Sequence, residues 1–250
     1  MEPTLIMGRT IRDKMIKAVF FDIDDTIYDY TSADKAAVTA LKAYCRRKLG
    51  LTDHSFEQYI SSARHMADER TGKGCAAVHN RLIRFQCMLE IMGKPPLPHA
   101  YEMYRLYWDT LIGNAKAEPG IRELMGSLKR RGTYVGIGTN MTADIQYRKL
   151  EHLKLGSFID GIVTSEEAGA EKPDEKLFLL CAQKALASPC ECVFVGDSLK
   201  NDIQGAERAG MHAVLYQREN KKNGSTVNCP VIRDFSDYFK AEQSVLERSV

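Results

Sequence analysis

No stretch of this 250-residue chain strings together the roughly eighteen apolar residues that a membrane-crossing helix needs. Residues 1–14, MEPTLIMGRTIRDK, also lack the continuous apolar segment of a secretory signal. The formal net charge is only +2, which gives no support for binding a polyanion; nucleic-acid partners call for a clustered basic face. Neither a membrane nor a nucleic acid is therefore an expected partner. The seven cysteines (Cys45, Cys75, Cys87, Cys181, Cys190, Cys192 and Cys229) are odd in number and scattered, which does not suit a disulfide framework and favours a reducing compartment. Cys190 and Cys192 stand closer together than zinc-binding pairs usually do, and no second pair follows. Internal repeats and low-complexity tracts are absent as well. These absences leave an ordinary globular chain, expected to be cytoplasmic, with 44% apolar and 27% charged residues. Its length suits one large α/β domain or a core with a smaller insertion.

What is present falls into two patterns. Lys17 to Ile23, KAVFFDI, is a short apolar run that reads as a buried parallel strand. It ends in carboxylates, so the chain must reach a solvated edge at Asp22 to Asp25. From Thr31 to about Asn114 the pattern is helical only: Ser32 to Leu49, Ser55 to Arg70, Cys75 to Ile91 and Pro98 to Ile112, punctuated by Gly50, Gly72, Gly74, Gly93 and the Pro95-Pro96 pair. After Pro119-Gly120, strands and helices alternate. Strands are expected at Tyr134 to Gly138, Ile159 to Thr164, Glu191 to Val195 and Met211 to Tyr216, with a small last one from Val231. Helices are expected at Ile121 to Arg131, Met141 to Leu155, Pro173 to Leu186 and Ile203 to Ala209, and residues 218–228 read as a polar loop. Alternation of this kind implies an α/β, Rossmann-like core, a parallel sheet with helices on both faces. Residues 15–30 and 117–250 are assigned to that discontinuous core and 31–116 to an inserted all-helical domain. Met15 is a candidate natural start, with residues 1–14 an N-terminal extension expected to be poorly ordered.

Four polar features fall at the ends of expected strands, the edge where open α/β sheets bind ligands. Asp22 and Asp24 stand two residues apart and can face one small volume, where they repel unless a cation or a proton intervenes. A carboxylate can attack phosphorus, and a protonated carboxyl can donate to a leaving oxygen. Solvated loop acids are the plainer reading. Asp197 and Asp202 follow Gly196 and suit a hard cation such as Mg2+, though either could simply cap a helix. Thr139 and Asn140 precede a helix and could form an anion site, a plain cap, or both. Lys172 offers a compact positive charge near Asp22, or is a surface lysine.

The strings FFDIDDTIYD, EPGIRELMGSLKRRG, GIGTN, EKPDEKLF and VFVGDSLKNDIQGAERAGM, with a helical insert after the first, resemble the haloacid-dehalogenase-like hydrolase superfamily, and within it the subgroup with an all-helical cap. The resemblance spans about Lys17 to Tyr216. It implies a Mg2+-dependent phosphomonoesterase acting on a small phosphorylated metabolite such as a nucleoside monophosphate or a sugar or glycolate phosphate. Asp22 is then the nucleophile that becomes an aspartyl-phosphate, and Asp24 the general acid and base. Lys172 is counted with them as catalytic, and Thr139, the Asn140 backbone and Lys172 hold phosphoryl oxygens. Mg2+ is held by Asp22, the Asp24 carbonyl and Asp197, with Asp202 near, and Thr26 braces the loop. Dehalogenases of the superfamily lack a carboxylate at the place of Asp24, because halide leaves without a proton; Asp24 thus argues for an oxygen leaving group. Asp25 replaces a frequent glycine, and its charge is expected to lower affinity for highly anionic substrates. Hinges are expected near Asp29 to Ser32 and Asn114 to Pro119. Arg70 and Lys73, in a glycine-flanked cap turn, are candidates for meeting an anionic substrate, or members of a solvated turn. Tyr101, Tyr104, Tyr107 and Trp108 read as cap core rather than a stacking platform. A monomer or homodimer is expected. A phosphomutase of the β-phosphoglucomutase type and a non-catalytic binding module are the alternatives.

Overall fold

The structure, a computed structural model, describes residues 15–72, 74–218 and 228–248. The proposed extension, residues 1–14, and most of the expected 218–228 loop lie outside the described residues. Strand β1, Ala18–Phe21, consists of four buried apolar residues and lies in the middle of a fully parallel six-stranded sheet. The others are β2 (Tyr134–Thr139), β3 (Gly161–Thr164), β4 (Cys192–Gly196), β5 (His212–Tyr216) and β6 (Val231–Ile232), in the spatial order β3-β2-β1-β4-β5-β6. The chain therefore builds outward from β1 on one side, then crosses over and builds outward on the other. Ligands bind where strand order reverses in this way, in the crevice at the carboxyl ends of the strands.

Side-chain alternation divides the sheet between two cores. Val19, Phe21, Val135, Ile137, Val193 and Val195 face one, and Ala18, Phe20, Cys192 and Phe194 the other. Two glycines in β2 make room on the second face. A Cβ at Gly136 would lie 2.2 Å from the Phe20 ring, and one at Gly138 2.6 Å from the Phe194 ring. The first face is covered by helices such as α5 (Ile121–Arg130), which buries Ile121, Leu124, Met125 and Leu128 at helical spacing, and by α6 (Ala143–His152). The second is covered by α8 (Glu175–Lys184) and α9 (Gln204–Arg208), with Phe178 edge-on to Phe194 at 4.9 Å.

Between β1 and α5 stand four α-helices, α1 (Tyr30–Leu49), α2 (Asp53–Thr71), α3 (Arg81–Ile91) and α4 (His99–Asn114). Helix α1 starts where Asp29 accepts from the Ser32 amide at 2.9 Å and stops at Gly50 with φ +72°. Tyr107 and Trp108 are buried as the aromatic pattern predicts, but Tyr104 is only partly covered and Tyr101 is exposed, the two stacked together.

Five elements differ from expectation. The helix read from Cys75 is broken: a short 3-10 turn, Ala76–His79, ends at Asn80, whose Oδ1 accepts from the Leu82 and Ile83 amides and starts α3 afresh. Helix α8 begins after Pro173, because Asp174 accepts from the Lys176 amide and caps it. A π-helical turn, Leu199–Ile203, precedes α9. Two helices lacked a prior reading, the single turn α7 (Ser165–Ala168) and the C-terminal α10 (Tyr238–Arg248), which packs Tyr238, Ala241 and Val245 onto the first core.

Candidate active site

The ends of β1, β2 and β4 and the loop before α8 converge on one cavity of about 280 Å3. Asp22 leaves β1 with its amide bonded to the Val195 carbonyl at 2.9 Å, so the strand pairing itself sets its position. Asp22, Asp24, Thr139, Asn140, Lys172, Asp197 and Asp202, the core residues singled out from sequence, all line this cavity.

Lys172 ties the centre together. Its ammonium donates to Asp22 Oδ1 at 2.6 Å, Asp202 Oδ1 at 2.7 Å and the Gly138 carbonyl at 3.1 Å. Burial works against its charge, but Asp202 and Asp22 outweigh burial and hold the ammonium above its ordinary range. Burial pushes the Asp22 carboxyl up; Lys172 opposes this, while Asp202 and Asp24 add to it. Asp202 reaches the centre because the π turn brings it back over β4, where Gly196 leaves the space. A Cβ there would lie 2.4 Å from the Asp202 carboxyl carbon, and Asp202 Oδ2 accepts from the Ser198 amide at 2.9 Å.

Carboxylate oxygens of Asp22, Asp197 and Asp202 come within 4.8 Å of one another. Three hard oxygen donors that close fit a divalent cation such as Mg2+. The Asp24 carboxylate is not part of this group. It turns instead to Lys149 on α6, whose ammonium donates to both its oxygens at 2.7 and 2.9 Å, and to the Tyr28 hydroxyl, which donates at 2.6 Å. Lys149 is fully buried, and burial pulls its ammonium below its ordinary value despite Asp24. The rings of Tyr28, Tyr30 and Trp108 surround the ammonium at 5.5–5.7 Å.

Thr139 and Asn140 are held by the same helix. Gln146 Nε2 donates to Thr139 Oγ1 at 2.7 Å and to the Asn140 carbonyl at 3.2 Å. The Asn140 side chain clamps the Lys172 backbone, accepting from its amide at 2.7 Å and donating to its carbonyl at 3.2 Å. Gln146 and Lys149 had no part in the sequence reading. Their signal was there: both occupy the buried face of α6 beside Ile145 and Leu150, where an amphipathic helix should be apolar.

Three expectations need correction. Thr26 is buried, but its hydroxyl oxygen has no hydrogen-bond partner among the described residues, so it packs rather than braces through a bond. Asp25 does not line the cavity; it takes φ +59° and accepts from the Thr31 amide and hydroxyl, with Arg218 at 3.4 Å. Its charge is thereby partly offset and directed toward the start of α1. Arg70 is exposed and paired with Glu90 at 2.5 Å on α3, away from the cavity, because the second and third helices pack side by side. Lys73 lies outside the described residues.

The helical insert instead contributes Tyr30, His79, Arg81 and Trp108 to the cavity. It touches the core at two further places, His79 Nε2 with Glu171 Oε1 at 2.6 Å and Arg148 on α6 with Asp109 on α4 at 2.7 Å. All seven cysteines are free, and no helix among the described residues is long and apolar enough to cross a membrane.

Comparison with known proteins agrees with this architecture. The model of the haloacid dehalogenase-like hydrolase family matches residues 16–210. The chain is 34% identical over 214 residues to a ribulose-1,5-bisphosphate 5-phosphatase of Halopiger xanaduensis, covering 84% of this chain and 89% of that one. It is 33% identical to a glyceraldehyde 3-phosphate phosphatase of Methanopyrus kandleri, over 88% of this chain and 92% of that one. The crystal structure of a 2-haloacid dehalogenase from Pseudomonas syringae pv. Tomato superposes with a TM-score of 0.76 at 25% identity, covering 94% of this chain and all of that one. With the parallel sheet, the inserted helices and the carboxylate-lined crevice all in place, the chain belongs to the haloacid dehalogenase-like hydrolase family.

Proposed function

We propose that this protein is a Mg2+-dependent phosphomonoesterase acting on a small phosphorylated metabolite, with Asp22 as nucleophile and Asp24 as general acid and base. The observation that carries the reading is the separate holding of the two carboxylates. Asp22 is gripped by Lys172 among other acids, while Asp24 is turned to Lys149 and Tyr28. A dehalogenase has no use for the second of these, whereas an alkoxide leaving group needs a proton. The names of the two relatives above, both phosphatases of small phosphorylated sugars, support the same substrate class.

In this mechanism an Asp22 oxygen attacks phosphorus and the bond to the ester oxygen breaks. The electron pair leaves on that oxygen, which takes a proton from Asp24. Asp24 then accepts a proton from water as the water oxygen attacks the aspartyl-phosphate; the phosphorus–Asp22 bond breaks and phosphate is freed. Lys172, the Thr139 hydroxyl and the backbone at Asn140 neutralise and orient phosphoryl oxygens. Asp22, Asp197, Asp202 and the Asp24 carbonyl are the proposed Mg2+ ligands. Bound there, the ion supplies positive charge against the nucleophile and the phosphoryl oxygens.

Residues 31–116 form the proposed cap domain, and 15–30 with 117–250 the core. The cap excludes bulk water from the reaction. A cytoplasmic monomer or homodimer completes the proposal. Its test is phosphate release across a panel of phosphorylated metabolites with Mg2+, with Asp22→Asn alongside. Release by the wild type alone supports the assignment, and silence of the wild type on every member sinks it.

A further inference from the structure

Inside the four-helix cap lies a second, larger cavity of about 680 Å3, within the size range of ligand pockets. It adjoins the cavity over Asp22, with Tyr30, His79 and Arg81 lining both. The smaller cavity, about 280 Å3, holds a phosphoryl group and more, and the chamber beside it offers room for a longer substrate.

The chamber gathers three arginines on its wall. Arg64, Arg81 and Arg84 line it, and none of the three makes an ion pair with a carboxylate among the described residues. Arg81 donates to the Tyr30 hydroxyl at 3.3 Å and the His79 carbonyl at 3.5 Å, both neutral, and lies over the rings of Tyr107 and Trp108 at 5.4 and 5.9 Å. Arg84 donates to the Val78 carbonyl at 3.4 Å, and its buried Nε has no hydrogen-bond partner among the described residues. Burial, Arg81 and Arg64 together pull the Arg84 guanidinium down to about 10, with Asp68 opposing. The other acids of the wall are already engaged. Asp34 accepts from the Tyr107 and Tyr30 hydroxyls, and Glu57 pairs with Lys42 at 2.6 Å. Guanidiniums shielded from water are normally matched by an anion. Here Arg81 and Arg84 are partly covered and Arg64 is exposed, and Asp34, Glu57 and Asp68 share the wall with them.

We propose that this chamber binds a second anionic group, phosphate or carboxylate, at the far end of the phosphomonoester substrate, with Arg84 and Arg64 as its receptors and Arg81 at the junction between the two anions. The proposal rests on the phosphatase reading for what occupies the smaller cavity, but its test does not use turnover. Binding to the intact protein with Mg2+ is measured by calorimetry for three non-hydrolysable series of roughly three to six carbons: alkylphosphonates, the same chains ending in a carboxylate, and the same chains ending in a second phosphonate.

The expected result is that a doubly anionic chain of the right length binds at least about tenfold tighter than the matching alkylphosphonate, the scale of one charge-assisted contact pair. Arg84→Met and, separately, the exposed Arg64→Met narrow that gap to about threefold or less. Tightening by phosphonate alone marks a phosphate tail, and tightening by both marks any anion. Equal affinity for all three series, or variants that weaken all three alike, overturns the proposal. Loss of phosphate release from an aryl phosphate, with the gap intact, counts against the phosphatase reading and leaves the chamber standing.

Discussion

Asp22 and Asp24 leave the end of β1 two residues apart, and each meets a buried lysine, but the two lysines arrive differently and leave their partners with different freedom. Lys172 comes from a loop on the sheet edge and grips Asp22 and Asp202 at once. Lys149 comes from the middle of α6, holds Asp24 alone, and is walled by aromatic rings. The Asp22 side chain is 9% exposed and that of Asp24 27%. One acid is thus locked among charges where a nucleophile must be aimed. The other is the more exposed of the two, which suits the proposed proton-transfer role. The lesson is that a pair of like residues is assigned its roles by what grips each of them.

Replacing Asp22 with Asn should break the comparison most severely. Nucleophilicity vanishes while Lys172 keeps Asp202, so phosphate release should fall at least about thousandfold with the thermal midpoint unchanged or raised. A variant that melts much earlier, or one that keeps a tenth of the activity, would contradict the role given to Asp22. Lys149→Met should act next most strongly, and through Asp24. We expect a fall in kcat of about 10–100-fold. The loss should be larger for alkyl phosphates than for an aryl phosphate, whose leaving oxygen needs little protonation. Equal losses on both substrates would make Lys149 a packing residue only.

These two lysines also mark how far sequence reasoning reached. Asp22, Thr139, Asp197 and Asp202 stand out in the sequence because a parallel sheet brings its carboxyl ends to one edge, while Lys172 takes its role only from the family resemblance. The apolar strands and the helical insert were readable from periodicity. Lys149 was not, because it bonds Asp24 across 125 positions from a helix face that patterning assigns to the core. Arg81 was hidden for a related reason. The expected unbroken third helix concealed the Asn80 cap that starts α3 and places Arg81 at its first position. Asp25 failed for want of its partner, since Arg218 lies 193 positions away.

A change at Gly196 sharpens the comparison from the other side, because it disturbs the Lys172 half without removing a charged group. The added methyl of Gly196→Ala would overlap the Asp202 carboxyl, which Lys172 and the Ser198 amide hold in place. Asp202 cannot swing aside without surrendering those bonds. We expect a loss of about 1–3 kcal/mol in denaturant unfolding, and a weaker apparent Mg2+ affinity in activity titrations. Retention of both would mean that the loop yields more easily than its hydrogen bonds imply.

The smallest effect should come from Arg70, the arginine that sequence placed nearest a substrate. Its guanidinium is half exposed and occupied by Glu90, which also accepts from Gln86. Exposed pairs of this kind contribute little, and neither Arg70 nor Glu90 lines either cavity. Arg70→Ala should therefore leave kcat/KM within about twofold on every substrate, including those with an anionic tail, while Arg84→Met shifts the balance between tails. Both arginines belong to the helical insert, and the difference between them is the partner: a carboxylate already in place for Arg70, and no carboxylate in an ion pair with Arg84 among the described residues. An Arg70 variant with altered tail preference would move the anion site out of the chamber and onto the cap's outer surface.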